Sequence, residues 1–457
     1  MPRLALLIMA VATSVFTLVS SAPASACSFI VAGPGATSDG SVLVGYNNDR
    51  SVDNWATLRS VAAGKGTHRY LKLRVHWAPT EGGMNDEQLA IPYRTATFID
   101  RSVLAVDPFV KGGFGPEMWD RLLARCATAS EAVDMLGQAM ADQGCSSFSA
   151  GAIVLADPRE AWIFEVLGGH HWAAARVPDD EVWFHPNAVG IREIDLSDPT
   201  RYRGSPDLEE FAARLGRYVP GQERFDVAWA YANRERVLAA GNRNRLWGAL
   251  RLLAPSLQLA PAALWTELPG HFRPDHAVTP QGIAALLRSH YEDTPLDESA
   301  AYSAMTPHAM TTRPICHSGT DYTVVMQVRD GLPNDVGGVL WLSLSRPCAS
   351  AFVPFYVSSP APPAWRERTA FNAFRAVAVR LDQPSKQGHA LDYGRYIPLV
   401  RAAYRDLEDK MRAAQPGVEA AALALHGASR AGLLAGFSSD SARAALRLSR
   451  QLRALMK

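Results

Sequence analysis

Residues 24–32 read Ala24-Ser25-Ala26-Cys27-Ser28-Phe29-Ile30-Val31-Ala32, and the rest of the chain is organised around the one cysteine in that stretch. Upstream lie Arg3, a mostly apolar run from Leu4 to Val19, and small residues at Ala24 and Ala26, the pattern of a secretory leader cut after Ala26. Such a cut places Cys27 at a free N-terminus, where one residue carries both a nucleophilic thiol and the amine that takes its proton. Two other fates compete. Bacterial lipoproteins also mature at a cysteine, but their recognition box usually has a large aliphatic residue where Ala24 stands. Soluble release is therefore favoured over lipidation. Half of a structural disulfide is the third reading.

Bulk composition narrows the class. The 457 residues are 48% hydrophobic and 20% charged, as in globular proteins. Lys and Arg number 46 against 45 Asp and Glu. The leader holds Arg3 and no acidic residue, so the remainder is electrically balanced, which argues against a nucleic-acid partner or an anionic-membrane surface. No later apolar run approaches the roughly 18 residues of a membrane span. A periplasmic or secreted location makes Cys126, Cys145, Cys316 and Cys348 candidates for disulfides. Three pairings are open; short separation favours Cys126–Cys145 and Cys316–Cys348. The absence of CxxC speaks against redox and zinc-ribbon readings.

Outward from Cys27, residues 28–50 predict two strands about the Asp39-Gly40 turn, which puts the cysteine at a strand end. Strand-like patterns continue over 68–80 and 88–99, with Gly82-Gly83-Met84-Asn85 as the turn between them. Residues 115–140 have helical spacing, with Ser130 as a plausible N-cap. Strands return at 152–156, 161–166, 172–177 and 181–184. Residues 206–253 are helical, 323–329 and 338–344 form a strand pair, and 364–457 are helical with interruptions near Pro384, Pro416 and Gly432. Strands first and helices later predict sheets covered by helices rather than alternating βαβ units.

The opening Cys27-Ser28-Phe29-Ile30-Val31, then Asp39-Gly40-Ser41-Val42-Leu43 and Asn47-Asn48-Asp49, resembles the start of the secernin-related cysteine dipeptidases. Further matches follow in order: Gly82-Gly83-Met84-Asn85, Ala156-Asp157-Pro158-Arg159-Glu160-Ala161-Trp162, Gly169-His170-His171-Trp172-Ala173-Ala174, Arg176-Val177-Pro178-Asp179-Asp180, Asn244-Arg245-Leu246-Trp247 and Gly337-Gly338-Val339-Leu340-Trp341. That family belongs to the N-terminal-nucleophile hydrolases and is a cousin of the penicillin V acylases and bile salt hydrolases. The resemblance implies an α+β fold, a four-layer αββα sandwich, and hydrolysis of amide bonds in dipeptides or other short peptides.

It also implies roles. Cys27 attacks the scissile carbonyl and its own amine, with a reference pKa of about 7.7–8.0, acts as base. Asp49 matches the carboxylate that holds the amine; the plain alternative is a turn aspartate capping its own backbone. Asn187 matches the asparagine whose amide donates to the oxyanion, with an ordinary loop asparagine as its alternative. Arg245 matches the arginine near the nucleophile, although Arg243 stands close by and a surface arginine is the plain reading. Thr95 is a second oxyanion candidate. Related hydrolases often carry an arginine where Tyr46 stands here. Either Arg245 or Arg50 covers that charge, or the thiol is less activated than in relatives.

Other features rank lower. His170-His171 looks like a metal pair, but neighbours on a strand point to opposite faces, and no metal or organic cofactor is expected. Trp162, Trp172, Trp183, Trp247 and Trp341 are read as core. The chain divides into a leader over 1–26, a hydrolase domain over 27–360 and a helical region over 361–457 that serves as packing or oligomer surface. The alternatives to a dipeptidase are an acylase of N-acyl amides or lactones, a non-catalytic envelope lipoprotein lipidated at Cys27, and, remotely, a metal-dependent hydrolase.

Overall fold

A computed structural model describes residues 27–50, 54–76, 78, 80–383 and 392–456. The leader expected over 1–26 and the interruption expected near Pro384 lie outside the described residues.

Cys27 is followed at once by the strand Ser28–Ala32, every residue of which is buried. A run of β-branched and aromatic residues with no exposed position suits the middle of a sheet, and that is where it sits. Among the described residues the strands form two antiparallel sheets. In the first the order is His271–Phe272, Val182–His185, Ser28–Ala32, Val42–Asp49, Thr320–Val328, Val339–Leu344 and Val353–Tyr356. The second runs Tyr202–Gly204, Trp172–Arg176, Ala161–Val166, Ala152–Ala156, Ala90–Ile91, Gly83–Asn85, Tyr70–Val75 and Ala56–Val61, with Arg94–Thr95 also paired to Ala152–Ala156.

The fold is α+β with four layers. Helix Pro280–Leu287 lies on the outer face of Val42–Asp49 and Thr320–Val328. Helices Glu117–Arg125 and Ala129–Asp142 cover the second sheet, and the two sheets meet where Val42–Asp49 faces Ala152–Ala156. Helices Arg368–Leu381 and Gly427–Leu455 pack on Val339–Leu344 and Val353–Tyr356.

Several local expectations need correction. The helix read over 115–140 is two, and the second is capped by Thr128 rather than Ser130, with Glu131 completing a capping box. Gly83-Met84-Asn85 is a strand, not a turn. Pro416 lies inside the helix Asp392–Leu423 and Gly432 inside Gly427–Leu455; the chain breaks between those helices instead. A proline costs an interior helix about 3 kcal/mol, and packing along the length of these two helices against each other outweighs it. The tryptophans read as core are buried, except Trp172, which is half-buried and stacks on Phe164 at 4.7 Å. Cys126 and Cys145 are free thiols rather than a bridge: Cys126 Sγ lies 3.9 Å from Met135 Sδ, and Cys145 Sγ donates to Ser146 O at 3.2 Å. Cys316 and Cys348 are also free.

One glycine fixes how the first sheet meets the end of Val42–Asp49. A Cβ on Gly319 would lie 1.9 Å from the Arg50 carbonyl oxygen, and Arg50 N–H donates to Gly319 O at 2.8 Å. Gly319→Ala must push these backbones apart, with an expected loss of about 1–3 kcal/mol. A denaturant midpoint unchanged from the parent would contradict this close approach.

Candidate active site

Ser28 pairs with Asn47 and Phe29 with Tyr46, so Cys27, the residue just before the strand, shares a face with Tyr46 and Asn48, between the sheets. The thiol is buried, 2% of the residue being exposed. Its Sγ lies 3.8 Å from Asn48 Oδ1 and 3.7 Å from the Asp49 carbonyl oxygen. Asn48 is held in turn. Its Nδ2 donates to Glu81 Oε2, while Arg50 Nε donates to Asn48 Oδ1 at 3.1 Å and Arg50 Nη2 meets Glu81 Oε1 at 3.0 Å. Burial works against the Arg50 charge, but Glu81, together with Cys27, Tyr93 and Tyr46, outweighs it, and the net direction favours the protonated guanidinium.

Arg50 is therefore the cation that faces the sulfur. Burial pushes the Cys27 thiol up, Arg50 pulls it down and Asp49 pushes it up, and the net direction is upward. A nearby cation on its own lowers a thiol's pKa. The burial of the sulfur overrides it, so the thiol needs a base. Tyr46, where relatives often carry arginine, donates its hydroxyl to Arg94 O at 3.0 Å and lies against the thiol.

Period-two alternation puts Ser28 and Asn47 on the opposite face, and there Arg245 makes its contacts. This arginine sits on helix Ala240–Leu253 and is 2% exposed. Nη1 donates to the Cys27 carbonyl and to Ser28 Oγ, both at 2.8 Å; Nη2 donates to Asn187 Oδ1 at 3.0 Å and Asn242 Oδ1 at 2.7 Å; Nε donates to Gly241 O at 2.9 Å. Burial, with Arg313 beside it, lowers its pKa to about 9. The neighbouring Arg243 donates instead to Asn244 Oδ1 at 3.3 Å.

Asp49 ends its strand as expected, 1% exposed. Its Oδ2 accepts from Arg313 Nη2 at 2.7 Å and its Oδ1 from Thr320 Oγ1 at 2.6 Å. Burial raises the carboxyl in spite of Arg313. Asn187 donates from Nδ2 to Ala96 O at 3.1 Å, which uses one of its two N–H groups. Its loop is anchored on both sides: His185 Nε2 is 2.6 Å from Glu165 Oε1, which also accepts from Gly190 N–H at 2.7 Å, and Glu165 Oε2 accepts from Ile191 N–H at 3.0 Å. The segment 94–96 thus runs between Tyr46 and Asn187. Thr95 lies on it, its buried Oγ1 without a hydrogen-bond partner among the described residues.

Cys27, Asp49, Asn187 and Arg245 are accordingly brought to one end of the first sheet. Glu81 and Arg313, which no sequence signal singled out, join them. His170 and His171 do not. They precede the strand Trp172–Arg176 rather than lying on it, and both Nδ1 atoms reach Asp107, at 3.2 and 2.7 Å, so the expectation of opposite faces fails.

A probable dipeptidase of Latilactobacillus sakei is 28% identical over 281 residues, 61% of this chain and 58% of the relative's length. A probable dipeptidase A of Streptococcus pyogenes serotype M1 is 28% identical over 335 residues, 70% of this chain and 68% of the relative. Dipeptidase A of Lactobacillus helveticus is 27% identical over 297 residues, 64% of this chain and 61% of the relative. Penicillin V acylase from Agrobacterium tumefaciens aligns at a TM-score of 0.32 and 14% identity, over 72% of this chain and 86% of that one, too slight a likeness to bear on the fold. The profile of peptidase family C69 matches residues 71–375, a span that includes Asn187, Arg245 and Arg313 and starts beyond Cys27 and Asp49. On that match, the chain belongs to peptidase family C69.

Proposed function

We propose that the protein is a secreted or periplasmic cysteine dipeptidase in which removal of residues 1–26 turns Cys27 into an N-terminal nucleophile. The observation that carries this reading is the immobilisation of Cys27: its carbonyl is gripped by Arg245 at 2.8 Å while its thiol lies against Asn48 and the Asp49 backbone. A thiol that burial holds protonated needs a base within reach, and the amine of the same residue is one. The amine takes the S–H proton, the sulfur attacks the peptide carbonyl, and the oxyanion is met by the second Asn187 N–H and the Thr95 hydroxyl. The ammonium, held by the Asp49 carboxylate, then gives its proton to the leaving amine. Water cleaves the resulting thioester by the same route. The matched dipeptidases support a short peptide as the substrate, and the reaction as written consumes no cofactor.

Because the amine must be neutral to accept the proton, kcat/KM is expected to rise with pH through about 8, the reference range of an α-amine. A rate that is flat from pH 6 to 9 would contradict it. A panel of dipeptides, penicillin V and an acyl-homoserine lactone tests the substrate class. Turnover of dipeptides alone is expected. Turnover confined to penicillin V or the lactone would make the protein an acylase.

A further inference from the structure

Away from the thiol site, four side chains converge that no sequence motif connects. His290, His308, Cys316 and Cys348 each offer a ligand atom, and all four atoms lie within 4.8 Å of one another. Cys348 Sγ is 3.5 Å from His308 Nε2, and Cys316 Sγ is 4.0 Å from the same nitrogen. Neighbouring donors around a tetrahedral zinc, with Zn–S about 2.3 Å and Zn–N about 2.0–2.1 Å, stand about 3.3–3.8 Å apart, so a small inward movement closes the set. His290 and Cys316 are fully buried, Cys348 is 1% exposed, and the His308 side chain is 3% exposed.

Two further observations point to a cation rather than to incidental packing. His290 Nε2 is buried and makes no well-formed hydrogen bond among the described residues, its polar neighbour being the Cys348 thiol of the same set, an arrangement that disfavours itself unless something occupies the centre. Both imidazoles are also oriented from behind. His290 Nδ1 lies 3.2 Å from Glu292 Oε1 and His308 Nδ1 lies 3.1 Å from Asp382 Oδ1. A carboxylate that accepts Nδ1–H leaves the Nε2 lone pair facing inward, the usual second layer of a zinc-bound histidine. Arg401 and Arg346 pair with Glu292 and Asp382 and stand 3.1 and 2.8 Å from the same nitrogens, so each Nδ1 has both an acceptor and a donor beside it, and binding of a cation at Nε2 selects the tautomer in which Nδ1–H faces the carboxylate. A cleft lined by Arg288, Glu292, Cys348 and Arg401 opens beside the cluster and offers an entry path.

We propose that His290, His308, Cys316 and Cys348 form a tetrahedral structural site for a divalent cation of the zinc class. Four protein donors leave no open position for substrate. Binding displaces the two thiol protons and ties the 290–316 loops to the segment at Cys348. Tyr393, on the helix Asp392–Leu423, donates to Cys348 Sγ at 3.6 Å, so the same centre touches the C-terminal helices. Arg313 and Thr320, the partners of Asp49, flank Cys316 in sequence.

Metal analysis of the purified full-length chain, with an intact mass and a count of free thiols, tests the site. About one zinc per chain is expected. After removal by chelator, Co2+ is expected to restore the visible bands of a tetrahedral thiolate site, and Cys348→Ser to abolish them. Glu292→Gln and Asp382→Asn, which keep the ligands, are expected to weaken zinc binding about 10–100-fold each. A metal-free protein whose mass shows a Cys316–Cys348 bridge would overturn the proposal. So would reduced thiols that take up neither Zn2+ nor Co2+.

Discussion

Cys27→Ala protein is expected to lose dipeptide hydrolysis by about 10³–10⁶-fold, the range seen when a covalent nucleophile is removed. Its stability should hardly change. The sulfur's hydrogen-bond contacts with Asn48 and the Asp49 carbonyl are long, at 3.8 and 3.7 Å, and Asn48 is fixed independently by Glu81 and Arg50. The measurement is kcat/KM beside a thermal unfolding curve. A low rate with an unshifted curve places the loss in the chemistry. A Cys27→Ser protein at full rate in the presence of a thiol alkylator would contradict the role given to the sulfur.

Arg245 variants are expected to give the second largest effect, and a different one. Its guanidinium spans five acceptors on three segments: the carbonyls of Cys27 and Gly241, and the side chains of Ser28, Asn187 and Asn242. Arg245→Ala leaves these buried groups unsatisfied at about 1–3 kcal/mol apiece before relaxation, and a net destabilisation of about 3–5 kcal/mol is expected. Arg245→Lys keeps a charge but puts its three donors on one atom, which cannot reproduce the fork that meets Cys27 O from one nitrogen and Asn187 Oδ1 from another. A nucleophile displaced by about 1 Å costs on the order of 10²-fold in rate. The lysine variant should therefore fold with kcat reduced far more than KM is raised. Wild-type kcat in Arg245→Lys would show that the clamp on Cys27 is not needed for catalysis.

What the sequence made legible follows from range. Ser28–Ala32 and Val42–Tyr46 are apolar and β-prone runs about a Gly40 turn, whose φ of +74° suits glycine, and both stand as strands, the second continuing through Asn47-Asn48-Asp49. Gly83 misled for the opposite reason. It reads as a turn residue beside Gly82, yet it lies in a strand, and a Cβ there would be 1.9 Å from Leu71 O. Close approach, not turning, is what demands glycine at that position. Asp49, Asn187 and Arg245 could be named as candidates because their family motifs are local. Glu81, Arg313 and the His290–Cys348 cluster were not, since nothing in one chain without alignment says that position 81 meets position 50, or 313 meets 49. Arg50 was left open against Arg245 as the cation for the thiol. The pleat decides it, because Arg245 holds the far face of the strand and Arg50 the sulfur's side.

Intact-mass analysis of the protein recovered from its native compartment bears most directly on the proposed chemistry. A polypeptide that starts at Cys27 with an unmodified amine is the predicted result. A product that keeps any residue before Cys27, or carries an acyl or diacylglyceryl group there, would deny the thiol its base and contradict the mechanism.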